Sequence, residues 1–419
     1  MLNEEQQKAV DIMRSGVNCF VSGDAGTGKS YTLNYFINLS KKDHKNVVVV
    51  APTGIAAINV DGVTLHRLLR LSPRPVICSV EDVKINRMLV QCDILILEEV
   101  SMCRMDLFDY LAISIGKANK LRKEKGLNTI QFIVCGDFFQ LPPVLTDRDK
   151  EILDSFYGYD VGKAFAFQSK YWKQIRFTNI VLHTVVRQSD KTFSELLNKV
   201  RTGNRLAVYE IERLSRKQEL QKAIYLSSTN KSVNEKNEAE LNALKGIPKK
   251  YIAEMAGDLS NSDKMAEDEL TLKVNARVMT LVNDFGKGYK NGSLGTILEM
   301  KDDYVTVSID GGGVVNIYPY IWEVKNYSVV TKNKRKVINE EIVGTFTQLP
   351  LKLAYAITIH KSQGQTYKSV NLNPRSWDYG QLYVALSRVE SLDGLYLTSE
   401  ISPNYLLTSP EVLDFYANL

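Results

Sequence analysis

The sequence predicts an α/β protein: two α/β domains, with a small all-β domain inserted into the second. Three observations carry that reading. The string Gly-Asp-Ala-Gly-Thr-Gly-Lys-Ser at residues 23–30 lies between a strand-like run and a helix-like run. Apolar runs at 47–51, 94–97 and 130–135 alternate with helical stretches, the pattern of a parallel sheet covered on both faces. From 275 to 343 the pattern changes to short alternating strands, broken by Asn291-Gly292 and by glycines at 311–313. Those breaks are hairpin signals.

The first domain is assigned to residues 1–175. Residues 17–22 read as a strand, and residues 31–39 as a helix with Leu33, Phe36 and Ile37 on one face. The string between them satisfies the phosphate-loop pattern G-x-x-x-x-G-K-[ST] at every required position. Gly23, Ala25, Gly26, Thr27 and Gly28 supply backbone N–H groups that close around phosphate, aided by the helix N-terminus. Lys29 is expected to reach the β- and γ-phosphates, and Ser30 to ligate Mg²⁺. The chain is therefore expected to bind a nucleoside triphosphate.

The run Ile94-Leu95-Ile96-Leu97 ends in Glu98 and Glu99. Carboxylates at the carboxyl end of a buried strand sit where open α/β sheets bind ligands. One is expected to hold the Mg²⁺ shell and the other to orient or deprotonate the attacking water. The next strand-like run leads into Gly136-Asp137-Phe138-Phe139-Gln140-Leu141-Pro142-Pro143. Gln140 can hydrogen-bond a γ-phosphate, and Phe138 and Phe139 are expected to stack on bases.

The second α/β domain is assigned to 176–274 and 344–419. Its strands are expected at 180–186, 223–227, 353–359, 369–372 and 395–398. The inserted domain, 275–343, reads as a barrel-like, SH3-like unit. Residues 254–270, acidic and poor in apolar side chains, read as a surface loop.

Bulk properties limit the function classes. A length of 419 residues allows about two to four domains. The net charge of +5 permits a polyanionic partner without requiring one. Cys19, Cys78, Cys92, Cys103 and Cys135 contain no C-x-x-C pair. They read as reduced, mostly buried thiols, and with only four histidines no zinc site is expected. No apolar run approaches a membrane span, and the polar residues 1–10 predict no signal peptide. The expectation is a cytoplasmic protein, nucleoid-associated if bacterial. Two basic runs, one with Lys117, Lys120, Arg122, Lys123 and Lys125 and one with Lys332, Lys334, Arg335 and Lys336, read as solvated surface, the second at a hairpin tip. His44 and His183 read as structural.

Taken in series, these strings resemble the helicases of superfamily 1, in the petite-integration-frequency (PIF-type) and RecD-like branch. Further marks are Leu2-Asn3-Glu4-Glu5-Gln6; Ala51-Pro52-Thr53-Gly54-Ile55-Ala56-Ala57; Thr64-Leu65-His66; Glu99-Val100-Ser101-Met102; Arg187-Gln188; Ile359-His360-Lys361-Ser362-Gln363-Gly364; and Tyr383-Val384-Ala385-Leu386-Ser387-Arg388. Their order and approximate spacing agree over nearly the whole chain.

The resemblance implies two RecA-like motor domains and an ATP-dependent helicase moving 5′→3′ on single-stranded DNA, with forked or overhang duplexes as substrates. It implies ATP and Mg²⁺ as cofactors, no membrane partner and a monomer. Gln6 is similar to the glutamine that reads adenine. Thr53, Gly54, Thr64 and His66 are similar to single-strand contacts of the first motor domain. Arg187 and Arg388 are similar to arginine fingers projected from the second. His360, Ser362 and Gln363, followed by Gly364 at the nucleotide, lie on the motif joining the ATP cleft to the DNA strand. By this pattern Glu99 activates water and Glu98 supports Mg²⁺.

Two departures stand out. The family has Asp-Glu where this chain has Glu98-Glu99, and its Phe-Gly-Gly element is replaced by Lys125-Gly126-Leu127-Asn128-Thr129. Two rival readings are an ATP-regulated single-stranded nucleic-acid-binding switch with weak turnover, and an RNA-directed motor.

Overall fold

Asn3 starts the first helix, Glu4–Arg14, by accepting the Gln6 N–H at 2.8 Å. The Gln6 carboxamide oxygen in turn accepts the Asn3 N–H at 3.1 Å. This reciprocal cap satisfies two donors that a helix start leaves open. The computed structural model describes residues 2–71, 74–186, 190–259, 264–332 and 335–419, without the side chains of 55, 58, 59, 285 and 325–340. The chain divides into two units, one of residues 1–187, 325–341 and 409–419, the other of 188–324 and 342–408.

The first unit is built on a parallel sheet of six strands: β1 (Cys19–Gly23), β2 (Val47–Ala51), β3 (Val63–Thr64), β4 (Ile94–Leu97), β5 (Gln131–Cys135) and β6 (Thr178–Leu182). Their order is β3-β2-β4-β5-β1-β6, and every pairing is parallel. Side chains alternate across the strands. Cys19 and Val21 face a core with Leu33 and Phe36 of the helix Lys29–Lys42 and with Ala9 and Met13 of the first helix. Phe20 faces the opposite side, where Trp172 and Phe138 meet it edge-on or tilted at 5.3 and 5.7 Å. Cys19, Cys92, Cys103 and Cys135 are buried and unbridged.

In the second unit, β7 (Ile224–Ser227), β18 (Ala356–Thr358), β19 (Val370–Leu372) and β20 (Leu395–Leu397) form a parallel sheet in the order β18-β7-β19-β20. Between β7 and β18 lies the β-rich region. Its main sheet joins β11 (Arg277–Thr280), β12 (Leu294–Met300), β13 (Val305–Ile309), β14 (Val314–Ile317) and β17 (Leu351–Leu353) in the order β14-β13-β12-β11-β17, all antiparallel. The strands β15 (Tyr320–Lys332) and β16 (Arg335–Gln348) are hydrogen-bonded neighbours, with β9 (Glu254–Gly257) beyond β16. A third, two-stranded sheet pairs β8 (Lys249–Ile252) with β10 (Glu269–Leu272). Tyr251, Leu270, Val278, Ile297, Val307 and Phe346 share one core across these sheets.

Four expectations are corrected. The strand placed at the start of the second domain is β6, which runs parallel to β1 over five residue pairs and belongs to the first unit. Residues 409–419 also belong to that unit. The expected loop at 254–270 contains β9 and the first two residues of β10. The four residues of β9 are all exposed, so no alternation reveals the strand, while Leu270 and Leu272 of β10 are fully buried. The β-rich region thus extends from 249 to 353, because β17 pairs with β11 rather than continuing β18. Lys334 lies outside the described residues, as do the side chains of Lys332, Arg335 and Lys336. Among the described residues no helix is long and apolar enough to cross a membrane.

Candidate active site

The carboxyl ends of β1, β2, β4 and β5 converge on one edge of the first unit's sheet, the edge where open α/β sheets bind ligands. The phosphate loop leaves β1 at Gly23, whose φ is +151°. A Cβ there would come within 2.3 Å of the Leu182 carbonyl oxygen, so the close approach of β6 requires glycine. Gly28, at φ +80°, opens the helix Lys29–Lys42. A Cβ at Gly28 would lie 2.6 Å from Gln6 Nε2. Gln6 is buried and donates Nε2 to the Thr27 carbonyl at 3.1 Å. The expected adenine reader is thus fixed to the loop, with one amide hydrogen and one lone pair of its carboxamide still available. Glu5 fixes the same helix from another side, accepting the His183 and Thr184 N–H groups at 3.1 and 2.8 Å. Lys29 donates to the carbonyls of Gly23 and Asp24, each at 3.0 Å, and Thr27 Oγ1 donates to Asp24 O at 3.0 Å. Ala25 and Gly26 complete the loop, Gly26 at φ +80°.

Glu98 continues the line of β4 and is 4% exposed. Its Oε1 accepts the Ser30 hydroxyl at 2.5 Å. Burial, reinforced by the charge of Glu99, pushes its carboxyl up to about 7 against the opposing pull of Ser30 and Lys29. Glu99 holds a left-handed backbone, φ +51°, which is uncommon outside glycine and gathers at functional turns. Ser30 and Glu98 together present a hydroxyl and a carboxylate oxygen, a hard donor set. Among the described residues no cluster of three or more His, Cys, Asp or Glu makes a cage. Mg²⁺ suits such a site, because it takes one or two protein oxygens and fills its octahedron with phosphate and water.

The loop after β5 turns at Gly136, φ +155°. Asp137 is fully buried, Gln140 is 8% exposed, and the Gln140 N–H donates to Asp137 O at 2.9 Å. Phe138 is 1% exposed, within an aromatic cluster of Phe20, Phe165, Phe167, Trp172 and Phe415. Phe139 stacks on Tyr416 at 4.8 Å. Both rings are buried, Phe138 inside the aromatic cluster and Phe139 with one face against Tyr416, which corrects the expectation that they stack on bases.

Thr53 and Thr64 serve as caps: Thr53 Oγ1 accepts the Ala56 N–H beside Gly54, the start of the helix Gly54–Asn59, and Thr64 caps the helix Leu65–Leu69 through Arg67 N. His66 has a buried Nε2 without a hydrogen-bond partner. Burial, then the nearby Arg104, lowers its pKa. Arg187 lies outside the described residues.

In the second unit the short turn His360–Ser362 follows β18. Ser362 is fully buried and its hydroxyl donates to Ile359 O at 2.7 Å, Gln363 is 8% exposed, and Gly364 turns at φ +77°. Burial lowers the pKa of His360. Arg388 was expected as a projecting finger but is 1% exposed. Its guanidinium donates to the carbonyls of Val384, Ser362 and Gln365 and to Ser387 Oγ. These bonds tie the turn to the helix Gln381–Leu386 within one unit.

Residues 1–210 match the family described as PIF1-like helicase. The ATP-dependent DNA helicase PIF1 of Danio rerio is 32% identical over 445 residues, an alignment covering 100% of this chain and 64% of that protein. The chain belongs to the PIF1-like helicase family.

Solved PIF1 structures share the fold over its full length. Pif1 from Bacteroides sp in complex with ADP-AlF4 has a TM-score of 0.85 at 32% identity, covering 100% of this chain and 97% of that one. Bacteroides Pif1 bound to ssDNA gives 0.70 at 32% identity, with the same coverage. The architecture is therefore the PIF1 one, two RecA-like domains with an additional β region. Within it, sequence reasoning missed Tyr416. It contacts Ser22, Asp137, Phe138 and Phe139, yet Asp137 lies 279 positions away in sequence. No local pattern marks such a contact.

Proposed function

We propose that this chain is an ATP-dependent DNA helicase that moves 5′→3′ along single-stranded DNA and opens forked or overhang duplexes as a monomer. The observation that carries the reading is the Ser30–Glu98 hydrogen bond of 2.5 Å beneath the phosphate loop, with Glu99 beside it. It supports reading Ser30 and Glu98 as the metal-binding pair, with Glu99 as the candidate base, at one sheet edge. That Bacteroides Pif1 has been solved in complex with ADP-AlF4 and bound to ssDNA supports the two ligand classes.

In this reading Gln6 orients the adenine, and the backbone from Gly23 to Gly28 cradles the phosphates. Lys29 moves from its carbonyls to the β- and γ-phosphates. Ser30 and Glu98 hold Mg²⁺, which when bound offsets phosphate charge. Glu99 orients the attacking water and accepts its proton. Gln140 hydrogen-bonds the γ-phosphate. Arg187 and Arg388 are the candidate cations for the transferring phosphoryl group, with Gly364 at the nucleotide. Thr53, Gly54, Thr64 and His66 are the candidate DNA contacts of the first motor domain, and His360, Ser362 and Gln363 those of the second.

The test is unwinding of duplexes carrying a 5′ or a 3′ single-stranded overhang, with ATP turnover followed on DNA and on RNA strands. The reading expects turnover stimulated by DNA and opening of the 5′-overhang substrate. Turnover unaffected by DNA, or preferential opening from 3′ overhangs, overturns it.

A further inference from the structure

The short helix Pro410–Ala417 ends the chain on the first unit, 279 positions from the loop it meets. Ser409 caps it by accepting the Val412 N–H at 3.3 Å. Phe415 anchors it, stacked on Phe167 at 4.4 Å and meeting Phe138 edge-on at 5.3 Å. The next residue, Tyr416, turns toward the nucleotide loops.

The Tyr416 hydroxyl meets Ser22, Phe138 and Asp137. It lies 2.7 Å from Ser22 Oγ, accepts the Phe138 N–H at 3.2 Å and donates to Asp137 Oδ1 at 3.4 Å. A phenol has one proton and two lone pairs. With its proton toward Asp137, the Ser22 contact is donated by the serine, and all three positions are used. The ring is also held, stacked on Phe139 at an interplanar angle of 19°.

These partners sit at two functional points. Ser22 directly precedes Gly23, where the phosphate loop begins, and Phe138 lies two residues before Gln140. One oxygen thus links the strand that carries the phosphate loop to the loop that carries the candidate γ-phosphate sensor.

We propose that Tyr416 is a positioning residue for ATP hydrolysis, its hydroxyl setting the Gln140 loop in register with the phosphate loop. The inference rests on the ATP-hydrolysing reading above. Tyr416 itself touches no substrate. Its effect comes through alignment, where a displacement of about 1 Å costs up to about a hundred-fold in rate.

The test uses the full chain as wild type, Tyr416→Phe, Ser22→Ala and the double variant. Tyr416→Phe keeps the stack on Phe139 and removes only the hydroxyl. The measurements are DNA-stimulated kcat and KM for ATP, affinity for ADP with and without aluminium fluoride, and the urea unfolding midpoint. Tyr416→Phe is expected to lower kcat about ten-fold, with KM for ATP and affinity for ADP alone within about two-fold. The gain in affinity from aluminium fluoride should shrink in parallel with kcat. Ser22→Ala should lower kcat in the same direction, and the double variant should be no worse than the poorer single one, because both break one link.

A Tyr416→Phe enzyme with wild-type kcat overturns the proposal. So does a fall in kcat matched by a fall in the folded fraction, with the aluminium fluoride effect intact. A wild-type chain without ATP turnover overturns the underlying reading and this inference with it. Wild-type turnover beside an unaffected Tyr416→Phe overturns this inference alone.

Discussion

Ser30 donates its hydroxyl to Glu98 across 2.5 Å, joining the first turn of the helix after the phosphate loop to the end of β4. The glutamate that stands where the family has aspartate therefore reaches the serine directly. The extra methylene does not carry its carboxylate away from the Ser30 hydroxyl.

The first prediction tests the two acids separately. Glu98→Asp shortens the side chain by one methylene and should break the contact with Ser30. Turnover is expected to fall, with restoration by raised Mg²⁺. Turnover at or above wild type would show that backbone adjustment absorbs the change. Glu99→Gln removes the candidate base while keeping its size. ATP binding should persist while kcat falls by about 10²–10⁴. Unchanged hydrolysis in saturating DNA and Mg²⁺ would move the search to other carboxylates, beginning with Asp137.

The second prediction concerns Lys29, whose ammonium is held by the Gly23 and Asp24 carbonyls at 3.0 Å each. Lys29→Ala removes the charge proposed to meet the phosphates. ATP turnover should be lost while affinity for single-stranded DNA, measured by fluorescence anisotropy, changes little. Turnover near wild type would refute the phosphate-loop assignment.

The third prediction follows from the burial of Phe138. Phe138→Ala opens a cavity among Phe20, Phe167, Trp172 and Phe415. It should lower stability by about 3–5 kcal/mol, read as a drop in the urea midpoint. The protein that remains folded should bind single-stranded DNA as before. A normal midpoint with weakened DNA binding would restore the base-stacking role.

The contrast between Phe138 and Glu98 shows what could be read from sequence. The strand–turn–helix setting of residues 23–30 and the place of Glu98 and Glu99 after β4 were legible because their signals are local: a few consecutive residues, a strand before and a turn after. Strands β2 and β4 were legible because fully buried strands are continuous apolar runs. Phe138 was misread because an aromatic residue in a glycine-proline loop has the same local pattern whether it faces a base or a core. Its place is decided by Phe167, Trp172 and Phe415, all distant in sequence. The buried setting of Arg388 was hidden for the same reason, since its carbonyl partners include a turn more than twenty residues earlier. The exposed strand β9 left no hydrophobic period to detect, and β6 was assigned to the wrong sheet because its pairing with β1 is non-local.

The last prediction is a pH dependence of stability from Lys352 on β17. This lysine is half-buried. Burial, then the like charge of Lys361, pushes its pKa from 10.5 down to about 8, against a smaller opposing effect of Glu267. The folded state therefore binds this proton less tightly than the unfolded state. Between about 8 and 10.5 the unfolded chain carries more protons, so this group makes stability rise with pH across that window. Below it, both states hold the charge and the full burial cost is felt. Lys352→Met keeps the aliphatic stem and removes the ammonium. At neutral pH it should stabilise the second unit, on the order of 1–2 kcal/mol after discounting for the lysine's partial solvent access. The gain should fade as the pH passes from 8 toward 10.5. Urea unfolding of both proteins at neutral pH and near pH 10 measures the difference. A variant less stable than wild type at neutral pH, or a gain equal at both values, would show that the Lys352 ammonium is solvated in the folded chain.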